Sequence, residues 1–269
     1  MTDETRFDRN ERLFGHDGQG LIAKARLAIV GLGGLGSHVA QQAAYLGIRK
    51  FVLIDGDVVT MSSLNRLIGA RLSDAVAGTP KVTVAERVIS GIEPAAEVTT
   101  IEEWLDASQA DAAIRAADVV IGCLDDDVAR LALTAVTSES QLPYFDLASE
   151  VEDGARHYGG RVLFALTPLR CAYCLGELDP EELALAGLTR EQRTARDRSY
   201  GVSASALRGR GAAVVSLNGV VASLAVTELM VYLTGLRPPA ILLRYRGDTG
   251  TVTRAATEPT GPCPFCGRN

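Results

Sequence analysis

A doubly wound, mostly parallel α/β sheet is what this 269-residue sequence predicts, and three observations predict it. Short apolar runs with the look of buried parallel strands alternate with segments of helical period. The first of these runs leads straight into a glycine cluster that opens a helix. Beyond Gly159 the alternation stops, and further strands bring in two Cys-x-x-Cys pairs.

Residues 1–25 are polar and charged and read as an N-terminal arm with a short helix. RLAIVG (26–31) is the first strand, 34–45 a helix and FVLID (51–55) the second strand. Residues 81–90 read as helix, EVTT (97–100) as strand and 107–116 as helix. DVVIGC (118–123), a helix over 126–139 and PYFDLA (143–148) complete the repeat of strand and helix. GRVLFAL (160–166) adds a strand before the first cysteine pair. Residues 177–210 lack an apolar period and read as a crossover, with 175–210 placed to close over a substrate. A long helix over 212–233 is apolar on most faces and so is expected to be buried. Strands at 240–246 and 250–254 lead to the second pair.

Composition narrows the function. The chain is 47% hydrophobic and 22% charged, with a net charge of −6. An acidic balance argues against nucleic acid and against a membrane surface as partner, since both favour basic proteins. No apolar run reads as the roughly 20 residues of a spanning helix. The charged opening MTDETRFDRNERLFG lacks the apolar core of a signal peptide, so a cytoplasmic protein is expected.

Four of the five cysteines are paired by spacing: Cys171 with Cys174, and Cys263 with Cys266. In a reducing compartment this spacing favours a metal, and four thiolates make a closed tetrahedral zinc site. A redox role is the weaker alternative, because neither pair has redox-type flanks. Cys123 stands alone at the end of an apolar strand, where a cysteine is ordinarily a small buried hydrophobe.

The chemistry gathers where strands end. Gly31, Gly33 and Gly36 fit G-x-G-x-x-G, which lets backbone amides approach phosphates at a helix N-terminus. Asp55 closes the next strand 19 residues after Gly36, where a carboxylate can hold a ribose hydroxyl. That much fits a nicotinamide-dependent oxidoreductase equally well. Arg66, Lys81 at the opening of a helix, and Asp125 after the fourth strand shift the balance. Two cations and a candidate metal ligand suit an enzyme that cleaves ATP, because charge develops on its phosphates. No ordinary P-loop is present. Asp126 and Asp127 are read as helix caps, and the charged stretch 190–198 as a solvated face in preference to a recruiting surface.

These motifs carry a resemblance. RFDRN (6–10), GQ (18–19), GLGGLGS (31–37), the Asp55/Asp57 pair, SLNR (63–66), Pro80-Lys81 and D-x-D-x-A-R (125–130) follow one another at family-like spacing. Over nearly its full length the chain resembles the MoeB/ThiF/HesA group of ubiquitin-activating-type adenylyltransferases. The resemblance implies a ThiF-type fold with C-terminal strands and a four-cysteine zinc knuckle. It also implies ATP with Mg²⁺, a homodimer, and adenylation of the C-terminal carboxylate of a ubiquitin-like β-grasp protein. Gly34 and Asp55 would bind the nucleotide, with Asp57, Ser63 and Asn65 beside them. Arg66 and Lys81 would take the phosphates, Asp125 the magnesium, and Arg9 would come from the partner subunit. Three positions depart from the family pattern: Ser63 replaces an asparagine that bonds the triphosphate, Asn10 a glutamine, and Asp126 an asparagine. A peptide- or tRNA-directed adenylyltransferase of the same fold would share every nucleotide residue, and a non-catalytic scaffold would bind no ATP. The chain then divides into an arm (1–25), a nucleotide-binding domain (26–166), and a zinc-binding, crossover and C-terminal segment packed on that domain (167–269).

Overall fold

A computed structural model of the chain describes residues 6–105, 107–151, 156–166, 170–186, 213–255 and 263–266. Eight strands form one sheet in the order β3-β2-β1-β4-β5-β6-β7-β8. They are β1 (Arg26–Val30), β2 (Lys50–Ile54), β3 (Glu97–Ile101), β4 (Val119–Gly122), β5 (Tyr144–Val151), β6 (Tyr158–Ala165), β7 (Leu242–Arg246) and β8 (Thr251–Arg254). The first five run parallel, and β5 through β8 pair antiparallel.

The central strands are apolar throughout because helices cover both faces of the sheet. Leu27, Ile29, Phe51 and Leu53 point into one core, with helices α2 (Gly34–Leu46), α4 (Lys81–Ile92) and α8 (Val215–Thr234). Ala28, Val30, Val52 and Ile54 alternate into the other, with α5 (Ser108–Arg115) and α6 (Asp127–Glu139). The edge strand β3 keeps only Ile101 fully buried. From β1 the chain winds outward to β3, then returns to β4 on the other side of β1. The order therefore reverses between β1 and β4, and a crevice opens at their C-terminal ends.

Several expectations change. The arm's short helix is a 17-residue α1 (Asp8–Lys24), broken at Gly15 with φ +76° and packed on α8 through Gly18 and Ile22. Two pieces escaped the sequence pattern, a 3₁₀ turn at Met61–Ser63 and α3 (Leu72–Ala77). The crossover begins with α7 (Pro180–Ala186); residues 187–212, including the charged stretch 190–198, lie outside the described residues. By length and composition α8 is apolar enough to cross a membrane, which corrects the sequence reading: it has 20 residues and a mean hydropathy of 1.5. It packs instead against α2, β5 and β6. The buried Glu228 near its end is paired with Arg237 at 2.6 Å and accepts from the Ala240 amide at 2.8 Å.

Candidate active site

The glycine loop leaves β1 at Gly31, where φ is +88° and a Cβ would fall 2.7 Å from the Cys123 carbonyl oxygen. Glycine is required there on both counts. A Cβ on Gly36 would overlap the Gly31 carbonyl, so this glycine brings α2 against the loop, off the cavity wall. Gly33 caps α2 without a side chain and has open space above it. The first amides of α2 have no intrahelical acceptor, so they could donate to an anion placed there. The missing side chain of Gly34 leaves room for the amide of Asn218 from α8 and the stem of Arg66.

Asp55 sits one residue past β2, buried, and accepts from the Leu32 amide at 2.6 Å and the Asp57 amide at 2.8 Å. Burial pushes its pKa above the usual carboxylate range, with Lys81 opposing. Lys81 opens α4 and lies 2.5 Å from Asp57 and 3.8 Å from Asp55. Arg66 donates to the Ser62 carbonyl at 2.6 Å and to Asn65 Oδ1 at 3.1 Å. Ser63 is buried, and its hydroxyl accepts from the Thr60 amide at 3.2 Å, closing the 3₁₀ turn. Asp125 is exposed, in the loop between β4 and α6. Asp126 caps α6 through the Ala129 amide at 2.9 Å. Asp127 pairs with Arg130 at 3.3 Å and accepts from the Asp179 amide at 2.6 Å.

One cavity of about 1410 Å³ is walled by Gly31, Gly33 and Gly34, by Asp55, Asp57 and Lys81, and by Ser63, Arg66 and Asp125. Asn65 is exposed, off this wall, and turned to Arg66. Arg9 is exposed on α1 and also off the wall.

On the cavity wall, where Arg130, Arg161 and Glu177 also stand, begins a buried ionic network that the motif reading missed. Asp146 of β5 accepts from Arg130 at 2.7 Å, from Tyr144 at 2.9 Å and from Arg161. Burial opposes its charge, but the two guanidiniums outweigh burial and hold its pKa below the ordinary range. Arg130 also donates to the carbonyls of Leu124 and Leu147, which ties the Asp125 loop to β5. Arg161 continues to Glu177 at 3.4 Å, and Arg244 meets the same carboxylate at 2.5 Å. The aspartate inside the apolar run PYFDLA was the available signal, since a buried charge must be paired.

The four paired cysteines meet. All are buried, and their sulfurs lie within 4.8 Å of one another. Cys171 is 3.5 Å from Cys263 and 3.8 Å from Cys174, and Cys174 is 3.9 Å from Cys266. Four sulfurs at 2.3 Å around a tetrahedral ion stand about 3.8 Å apart, so the set fits a metal ion.

The chain is 36% identical over 132 residues to the molybdopterin-synthase adenylyltransferase of Escherichia coli (strain K12), covering 49% of this chain and 52% of that one. It thus spans about half the length of that relative. It is 27% identical over 252 residues to the sulfur carrier protein ThiS adenylyltransferase of the same organism, covering 93% and 89%. Among solved structures, E. coli MccB crystallised with MccA-N7isoASN superposes with a TM-score of 0.76 at 19% identity, over 99% of this chain and 75% of that one, a likeness of fold. The ThiF family model matches residues 7–264, and the chain belongs to the ThiF family.

Proposed function

We propose that this protein uses ATP to adenylate the C-terminal carboxylate of a small ubiquitin-like β-grasp protein. The observation that carries the reading is the cavity at the β1/β4 switch point. It places a glycine loop, a ribose-type carboxylate, two cations and an exposed carboxylate around one volume. The sulfur carrier in the name of the ThiS adenylyltransferase supports the choice of substrate.

In this reading Asp55 accepts from the ribose hydroxyls, and the first amides of α2 receive phosphate oxygens. Lys81 exchanges Asp57 for phosphate, and Arg66 neutralises charge beside it. The carrier carboxylate attacks the α-phosphorus, the bond to the pyrophosphate oxygen breaks, and acyl-AMP and pyrophosphate result. Positioning and electrostatics supply the rate, with no protein nucleophile. Asp125 is the residue to hold Mg²⁺, which when bound draws charge from the phosphate oxygens. Arg9 enters the site of a second copy in a homodimer. Cys171, Cys174, Cys263 and Cys266 hold a structural Zn²⁺. Four thiols kept as metal ligands suit the cytoplasm.

The test is Asp125→Asn. Carrier-dependent ATP–pyrophosphate exchange is expected to fall by about a hundredfold or more. Exchange near the wild-type rate would remove Asp125 from its role.

A further inference from the structure

The chain has a single tryptophan, and the fold leaves it uncovered. Trp104 follows β3 and is 63% exposed, although an indole is a large apolar group that ordinarily gains from burial. Its place is set from two sides. β3 pairs with β2, Ile101 beside Ile54, and the Asp55 amide donates to the Ile101 carbonyl at 3.2 Å. Residues after Ile101 therefore run beside Asp55–Asp57. The indole rests on Gly56, where a Cβ would come within 2.9 Å of Cε2 and 3.0 Å of both Cδ2 and Nε1. Near-equal distances to the two ring-fusion atoms and the nitrogen put Gly56 over the ring face, not at its edge. Only glycine gives the indole that seat. Trp104 and Leu105 then line the cavity beside Asp55.

We infer that Trp104 is the platform on which the base of the bound nucleotide stacks, an inference that rests on the nucleotide reading above. Three neighbouring strands end side by side: β1 in the glycine loop, β2 in Asp55, and β3 in the segment bearing Trp104. Adjacent strands are about 4.8 Å apart, close to the spacing from phosphate to sugar to base along a nucleotide. With phosphates over β1 and the ribose over β2, the base falls over β3. The wall it meets there is the indole. Stacking covers aromatic surface on both partners without needing a hydrogen-bond pattern.

The lone tryptophan makes the test direct. Titration of the protein with ATP should change the indole emission, saturating with the binding heat measured by calorimetry. Trp104→Ala should weaken ATP binding by about tenfold or more, and Trp104→Phe should recover most of the loss. Inorganic tripolyphosphate, which lacks a base, should bind wild type and Trp104→Ala alike. Unchanged emission at calorimetric saturation, or ATP bound equally by Trp104→Ala, would overturn the platform while leaving the nucleotide site standing. An equal loss of tripolyphosphate affinity would make Trp104 a structural prop and overturn it too. A wild-type protein that binds no ATP would bring down the nucleotide reading and the platform with it.

Discussion

Cys123 lies on the floor of the cavity, one residue past β4, with its amide donating to the Val30 carbonyl at 2.7 Å. Burial pushes its thiol far above the ordinary cysteine range, with Asp146 adding to the rise and Arg130 opposing it. A nucleophilic cysteine works as thiolate, which this setting disfavours. Cys123→Ser is therefore expected to keep carrier adenylation and pyrophosphate exchange, at a cost of about 1–3 kcal/mol for burying a hydroxyl. Wild type incubated with ATP and carrier should give no reductant-sensitive adduct on a gel. An adduct that disappears in the mutant would make Cys123 a thioester former. Ser63 illustrates what a motif leaves open. The family resemblance implies an amide where this chain has a hydroxyl, and the engagement of that hydroxyl with Thr60 is visible only in three dimensions.

The cysteine knuckle is the element where spacing was most informative. Each Cys-x-x-Cys is a local signal, and their meeting across the 88 residues between Cys174 and Cys263 follows from chemistry that wants four ligands. Purified protein should carry about one zinc per chain, bound by four thiolates. Cys263→Ser should lower zinc content and melting temperature together, because metal affinity is also folding free energy. Zinc-free protein with an unchanged melting temperature would refute a structural role. The central strands were equally legible, being apolar runs that only a doubly covered sheet would bury. The six-residue α3 and the 3₁₀ turn were not, since neither is long enough to show a period. In α8, composition alone could not distinguish a core helix from a spanning one. Its packing on α2, β5 and β6 decides what it covers.

At the scale of the molecule, the exposed Arg9 is the one proposed catalytic group that its own chain leaves off the cavity wall. If it serves a second copy, Arg9→Ala and Asp125→Asn homodimers are each inactive, since every site lacks one partner. A twofold mixed dimer holds one site with both lesions and one with neither. Mixing equal amounts of the variants under demonstrated subunit exchange makes about half of the dimers mixed, each with one intact site of two, and should restore up to about a quarter of the wild-type activity. No recovery would place Arg9 within its own subunit or outside the reaction.

By itself the sequence determined what local rules govern. Glycines at G-x-G-x-x-G spacing after an apolar run mark a tight turn that opens a helix, unbroken apolar runs demand a sheet covered on both faces, and cysteine pairs at that spacing favour a metal. Those rules act over a few residues, so they reached Asp55, Lys81 and Asp125 wherever a strand or helix end marked them. Tertiary structure alone decided which side chains share a volume. It put Lys81 on Asp57, buried Asp146 between two arginines, and laid Trp104 on Gly56. Such pairings depend on where distant segments pack, and no local propensity encodes the distance between them.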